Sequence, residues 1–183
     1  MRVIAGELKG RRLQAPDWPG LRPTSDRLRE TLFNVIAPHI QGARVVDGFA
    51  GTGAVGIEAL SRGASHVTFV EQDPRAVRLI QANLDRCGVP DRYAIIRARF
   101  ADAAGRVAAP ADVIFLDPPY GQQEIDEALA AASGMASEGT LVIIEHARRD
   151  TAPPSVPGLV LTRTLKSGDS ALAFYRMDRP RQT

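Results

Sequence analysis

The 183-residue sequence has a single cysteine, Cys87, which excludes an internal disulfide framework. Its three histidines, His39, His66 and His146, show no metal-ligand spacing, so no metal is expected. No apolar stretch reaches the roughly 18 residues that mark a membrane-spanning helix. The opening Met1-Arg2-Val3-Ile4-Ala5-Gly6 also lacks the apolar core of a secretion signal. A cytoplasmic location away from any membrane follows as the expectation. Internal repeats and low-complexity segments are missing too, and the length suits one domain over residues 1–183.

What the chain has is an uneven charge. The net value is only +2, yet residues 1–30 carry seven basic against four acidic side chains, and residues 148–183 seven against three. The intervening body is acidic, with nine against fourteen. Basic ends around an acidic body are a plausible footprint for binding a phosphate backbone, and equally an aid to solubility.

Along the chain, residues 2–5 and 11–14 read as a small β-hairpin carrying Lys9, Arg11 and Arg12 near its turn. A connector rich in proline and glycine follows, with Trp18 as its packing anchor. Thr24 is the expected N-cap of a helix with Leu28, Leu32, Val35 and Ile36 on its apolar stripe, leaving Arg22, Arg27 and Arg29 partly outward. From residue 43 the pattern alternates. Strands are expected at 44–47, 65–70, 92–97, 112–116 and 141–145, and helices at 54–61, 75–86, near 101–108 and at 124–132. Asp73-Pro74 supplies an N-cap and a first-turn proline for the second of these helices. Segments 159–165 and 171–175 flank Lys166-Ser167-Gly168-Asp169 and read as a closing antiparallel hairpin. Alternating strands and helices imply an α/β fold with a mainly parallel, doubly wound sheet.

Two loops carry chemistry. Asp47-Gly48-Phe49-Ala50-Gly51-Thr52-Gly53-Ala54-Val55-Gly56 contains the Gly-x-Gly-x-x-Gly spacing of dinucleotide sites, with Glu71 twenty residues beyond Gly51. Glu71 accepts ribose hydroxyls in either a dinucleotide or another nucleoside cofactor. Asp47 discriminates: a carboxylate at the strand tip repels a pyrophosphate but suits the ammonium and sulfonium of S-adenosylmethionine. The methyl donor is therefore favoured over an oxidoreductase cofactor. After the third strand an acid normally meets the adenine amine, but Arg99 stands there; Asp102, three residues on, or a backbone carbonyl is left to serve.

The second loop is Asp117-Pro118-Pro119-Tyr120, behind the apolar run Val113-Ile114-Phe115-Leu116. Two prolines end a strand and fix a rigid turn. That turn offers a ring to stack on a flat base, and a carboxylate and a proline carbonyl to accept the hydrogens of an exocyclic amine.

These residues resemble a known family. Asp47-x-Phe49-Ala50-Gly51-Thr52-Gly53-Ala54-x-Gly56-x-Glu58-Ala59-Leu60, Val70-Glu71 and Leu116-Asp117-Pro118-Pro119-Tyr120 are similar to the motifs of the RsmD-type 16S rRNA guanine-N2 methyltransferases. So are Arg2-Val3-Ile4-Ala5-Gly6 with Gly10-Arg11-Arg12-Leu13, and Leu21-Arg22-Pro23-Thr24-x-Asp26-Arg27-x-Arg29-Glu30. The resemblance covers nearly the whole chain. It implies a Rossmann-like class I methyltransferase with a mostly parallel seven-stranded sheet, a C-terminal antiparallel hairpin and an N-terminal hairpin extension (residues 1–40) on a catalytic core (41–183). It implies Asp117, Pro118, Pro119 and Tyr120 as catalytic. Asp47, Phe49, Ala50, Gly51, Thr52, Gly53, Glu71, Gln72 and Asp102 would bind S-adenosylmethionine. Arg2, Lys9, Arg11, Arg12, Arg22, Thr24 and Arg27 would meet RNA. The expected partner is 16S rRNA within the 30S subunit or its assembly intermediate, approached by a monomer. The alternatives are methylation of another amine, such as an adenine of DNA or RNA, and a non-catalytic RNA-binding assembly factor. One departure concerns the last hairpin, where Ser167-Gly168 stands in place of a frequent Tyr-Gly.

Overall fold

Strands whose side chains are apolar on both faces need cover on both faces, and the chain supplies it. The computed structural model describes residues 1–21, 24–108 and 110–178. β1 (Arg44–Gly48), β2 (His66–Glu71), β3 (Tyr93–Arg97), β4 (Val113–Leu116) and β5 (Leu141–Ala147) run parallel. β6 (Ser155–Val156), β7 (Leu159–Ser167) and β8 (Ser170–Met177) complete one eight-stranded sheet in the order β3-β2-β1-β4-β5-β8-β7-β6, with β8 antiparallel to β5. α1 (Asp26–Ile36), α2 (Ala54–Ser61) and the N-terminal segment share one core with the face bearing Val45, Phe115 and Ile143. α4 (Gln122–Met135) packs on the opposite face, over Val46, Ile114 and Val142. α3 (Pro74–Arg86) starts behind its Asp73 cap and follows β2.

The order of the parallel strands sets the location of any ligand. The chain winds outward from β1 to β3, then crosses to β4 on the other side of β1. Between β1 and β4 the following loops therefore diverge, and a crevice opens at the carboxyl ends of the strands. Gly48 pairs with Leu116 across this point, so the loops after both strands face one another.

Several local expectations are revised. The N-terminal hairpin reduces to one antiparallel bridge, Arg2 to Arg12, supported by Val3 N to Arg11 O (2.9 Å) and Leu13 N to Met1 O (3.1 Å). Beside turn bonds such as Gly10 N to Val3 O (2.9 Å) and Arg11 N to Leu8 O (3.1 Å), its residues bond to α2. Glu58 accepts from the amides of Ile4 (2.8 Å) and Ala5 (3.0 Å), and Ser61 Oγ from that of Leu8 (3.0 Å). Gly6 lies against this helix at φ +84°, where a Cβ would fall 1.8 Å from the Ser61 carbonyl oxygen; only glycine allows the approach. Ser25, not Thr24, caps α1, its hydroxyl accepting from Leu28 N at 3.1 Å. Arg29 is fully buried, against the expectation of a partly outward side chain. The helix expected near 101–108 is two short 3₁₀ turns, Phe100–Asp102 and Ala104–Arg106, and β6 adds an eighth strand where seven were expected.

Candidate active site

The loop after β1 is held in an uncommon shape. Phe49 adopts φ +59°, rare for a residue with a side chain, and Gly51 and Gly53 follow at +55° and +76°. Hydrogen bonds hold this conformation: Ala50 N to Val70 O (3.0 Å), Gly53 N to Ala50 O (2.7 Å) and Gly51 N to Glu71 Oε2 (2.9 Å). The other oxygen of Glu71 accepts from Asp73 N at 2.8 Å. One carboxylate thus ties the glycine loop to the β2–α3 turn. Each of its oxygens keeps acceptor capacity for a vicinal diol in the cleft.

Asp47 lies beneath the loop, 2% exposed, its Oδ2 accepting from Gly56 N at 2.8 Å. Burial pushes its carboxyl up to about 8, against the opposing pull of the Gly56 amide and with help from the negative charge of Glu71. Such a group favours a cationic ligand, which would restore its ionised form. Gly56 carries its own constraint, since a Cβ there would sit 2.2 Å from the Phe69 ring. Glycine lets α2 lie close enough to the sheet for this amide to reach Asp47.

β4 ends at Leu116, and the Asp117 amide donates to Gly48 O at 3.3 Å, so the proline turn is docked on the end of β1. Thr24 Oγ1 donates to Asp117 Oδ2 at 3.3 Å. Thr24, expected as a helix cap, instead orients the turn's carboxylate. Tyr120 projects into the opening, 44% exposed, a large ring left for something outside the protein to cover.

These loops surround a cleft of about 530 Å³ whose walls include Asp47, Gly51, Glu71, Asp117 and Tyr120. Phe49, Ala50, Thr52, Gln72, Pro118 and Pro119 line it as well. A neighbouring cavity of about 250 Å³, formed by Ala98, Arg99, Phe100 and Ala101, shares Phe49, Glu71, Gln72 and Pro119 with it. The rings of Phe49 and Phe100 meet 5.4 Å apart, giving the smaller cavity an aromatic wall beside Glu71. The buried Asp47 carboxylate, the Glu71 carboxylate and the Phe49–Phe100 wall thus lie along two adjoining cavities.

Not every expected residue joins the site. Asp102 is exposed and lines neither cavity, because the chain after β3 tightens into a 3₁₀ turn whose Asp102 amide bonds back to Arg99 O at 3.0 Å. Gly53 shapes the loop without lining the cleft. Arg2, Lys9, Arg11, Arg12 and Arg27 are exposed outside the cavities, and Arg22 lies outside the described residues. Arg11 also donates to the carbonyl of Cys87 beyond the end of α3. Sequence reasoning missed Phe100, Leu21, Glu145 and Ser170 as lining residues. Trp18, expected as a packing anchor, lines the cleft too, its ring 5.2 Å beneath the Arg75 guanidinium. Glu145 was detectable as the one acid in an otherwise apolar strand run; the others had no local signal.

A family model described as conserved hypothetical protein 95 matches residues 1–176. The ribosomal RNA small subunit methyltransferase D of Escherichia coli K12 is 33% identical over 180 residues, covering 97% of this chain and 90% of its own length. The protein of the same name from Haemophilus influenzae is 42% identical over 123 residues, 66% of this chain and 64% of its own. Among solved structures, the yhhF protein of Escherichia coli superposes with a TM-score of 0.84 at 32% identity, covering 97% of this chain and 98% of that one. The sheet is accordingly that of a Rossmann-like class I methyltransferase, with eight strands where seven were expected. Matched in sequence and fold over nearly its whole length, the chain belongs to the RsmD family, which includes the ribosomal RNA small subunit methyltransferase D proteins.

Proposed function

We propose that this protein transfers a methyl group from S-adenosylmethionine to the exocyclic N2 amine of a guanine in 16S rRNA, presented by the 30S subunit or its assembly intermediate. The observation that carries the reading is the convergence of Asp47, Glu71 and the Asp117–Tyr120 turn on one cleft at the strand switch point. In this reading Glu71 holds the ribose, Asp47 answers the positive charge, and Phe49 and Phe100 wall the adenine slot. S-adenosylmethionine, when bound, would supply an electrophilic methyl whose bond to the positively charged sulfur breaks as the new carbon–nitrogen bond forms, leaving a neutral thioether. The protein's share is to make the guanine amine a nucleophile. Tyr120 stacks on the base, while the Asp117 carboxylate and Pro118 carbonyl accept the two amine hydrogens. As nitrogen gains its bond to carbon, both acceptors stabilise its growing positive charge, and Asp117 takes the proton. Much of the rate enhancement comes from holding nitrogen and methyl in line. The test is to incubate the protein with labelled S-adenosylmethionine and 30S subunits from a methylation-deficient strain, then identify the labelled nucleoside. Label recovered as N2-methylguanosine supports the reading; label on adenosine, or none, overturns it.

The Asp47 carboxyl makes donor binding pH-dependent. Free protein holds a proton on Asp47 below about pH 8, and the cationic ligand requires the carboxylate. Binding must therefore release that proton, so affinity rises with pH, by up to about tenfold per unit, and levels off above the free pKa. Calorimetry at pH 7 in two buffers of different ionisation enthalpy should detect close to one proton released. Asp47→Asn should bind more weakly and release none; release equal to wild type would exclude this origin.

For RNA we propose residues 1–40 as the binding extension of a monomeric enzyme. Arg2 and Arg12 sit directly opposite in the antiparallel bridge, while Val3 and Leu13 turn inward. Like charges facing each other cost stability, which favours a phosphate between them as the reason for the pairing. Replacing Arg11 and Arg12 by Ala should weaken RNA binding and flatten its salt dependence, the slope of log K against log salt falling by about 1 to 2. An unchanged slope would assign both to solubility.

A further inference from the structure

The cleft contains a further carboxylate that neither donor binding nor amine activation uses. Glu145 lies in β5, is 6% exposed and lines the cleft. The Ser170 hydroxyl, from the first residue of β8, donates to its Oε1 at 2.9 Å and lines the cleft beside it. The strand register places it. Asp47, Phe115 and Ile143 form one row across β1, β4 and β5. Two residues further along, on the same face, come Asp117 after β4 and Glu145 in β5. The two carboxylates thus stand side by side at the ends of neighbouring chain segments, Asp117 just past β4 and Glu145 in β5, and line one cleft.

A carboxylate is only an acceptor, and burying one is costly unless donors meet it. The edge of guanine presents two kinds of donor side by side, the N2 amine and the N1–H. Adenine and cytosine place a bare ring nitrogen beside their amines, which would set a lone pair against the acid. On the reading of guanine-N2 transfer above, Asp117 takes the amine and its neighbour faces N1. We infer that Glu145, oriented by Ser170, accepts the N1–H of the target guanine and so selects guanine over other amine-bearing bases. It is a specificity-determining residue, separate from the proton-accepting Asp117.

Replacing guanine by 2-aminopurine at the mapped target nucleotide tests this, because 2-aminopurine keeps the N2 amine but has no N1–H. Wild-type enzyme should prefer guanine by at least about 100-fold in kcat/KM, since sites built around a substrate donor discriminate strongly against its loss. In Glu145→Gln the carboxamide can itself donate to N1, so the preference should fall at least about tenfold, with S-adenosylmethionine affinity unchanged. The intrinsic reactivities of the two bases cancel when the variants are compared. Ser170→Ala keeps the carboxylate but loses its orienting hydroxyl and should reduce the preference by a smaller factor; it decides the matter if Glu145→Gln does not fold. Equal use of both bases by wild type, or a preference unchanged in the folded variants, overturns the role of Glu145 while guanine methylation stands. Failure of wild type to methylate guanine N2 at all would overturn both.

Discussion

Asp117→Ala is expected to lower kcat by about 10²–10³-fold, the scale on which removing one preorganised partner of transition-state charge is felt. The size of the effect comes from where the charge develops. A guanine amine donates its lone pair into the ring, so binding the base does little to activate it. Only as the nitrogen pyramidalises does it become cationic, and only then does the carboxylate act at full strength. Asp117 is already aimed, by Thr24 Oγ1 at 3.3 Å and by its own amide on Gly48 O at 3.3 Å. The donor pocket is built from other elements, so S-adenosylmethionine affinity should stay within about threefold of wild type, well under 1.4 kcal/mol. Asp117→Asn is the sharper control. It keeps the shape of the turn but can present an N–H to the substrate amine, and should be as inactive as the alanine variant. Single-turnover methylation of 30S subunits measures the chemical step. A rate within about tenfold of wild type would remove Asp117 from the reaction.

Features set by local chemistry were legible in the sequence. The glycine loop, the proline turn, the Asp73-Pro74 cap and the bounds of α2 each follow from a few neighbouring residues with strong backbone preferences. The cleft followed because alternating strands and helices leave few topologies, and each puts ligands at the switch point. Long-range demands were hidden. Thr24 and Ser25 are both competent caps, and Thr24 is released from that task because its hydroxyl is within reach of Asp117, 93 residues away. Arg29 reads as solvated by residue type alone, yet it lies four residues before Phe33 and seven before Ile36, on the apolar stripe. Glu58 sits in α2, where every residue is buried. A lone acid in such a helix requires partners, and the buried arginine on α1 is one of them. Arg99 stands where an acid was expected, and Phe100 beside Phe49 became visible only once the loops were assembled.

That buried pair carries the largest expected stability effect. Glu58 and Arg29 have fully buried side chains, 3.5 Å apart at Oε2 and NH1. Arg29 also donates to the Arg2 carbonyl at 2.9 Å and to Asp26 at 2.5 Å, while Glu58 takes Arg62 at 2.7 Å and the amides of Ile4 and Ala5. Removing either partner leaves the other buried charge with a single, less buried counterion, Asp26 for Arg29 or Arg62 for Glu58, which holds the cost to about 3 kcal/mol, the low end for a broken buried pair. For a chain of this length that lowers the melting temperature by roughly 6–12 °C. The two ends are not equivalent. Glu58→Ala also strands two backbone amides of the N-terminal segment, so it should destabilise more than Arg29→Ala and expose residues 1–14 to protease before the sheet melts. RNA affinity should then fall while donor binding at low temperature persists, because the Asp47 and Glu71 sites contact neither side chain. Thermal melting with limited proteolysis separates these effects. A Glu58→Ala protein within about 1 kcal/mol of wild type would mean that the N-terminal segment is held by its apolar residues Val3, Leu8 and Leu13 and not by the buried acid.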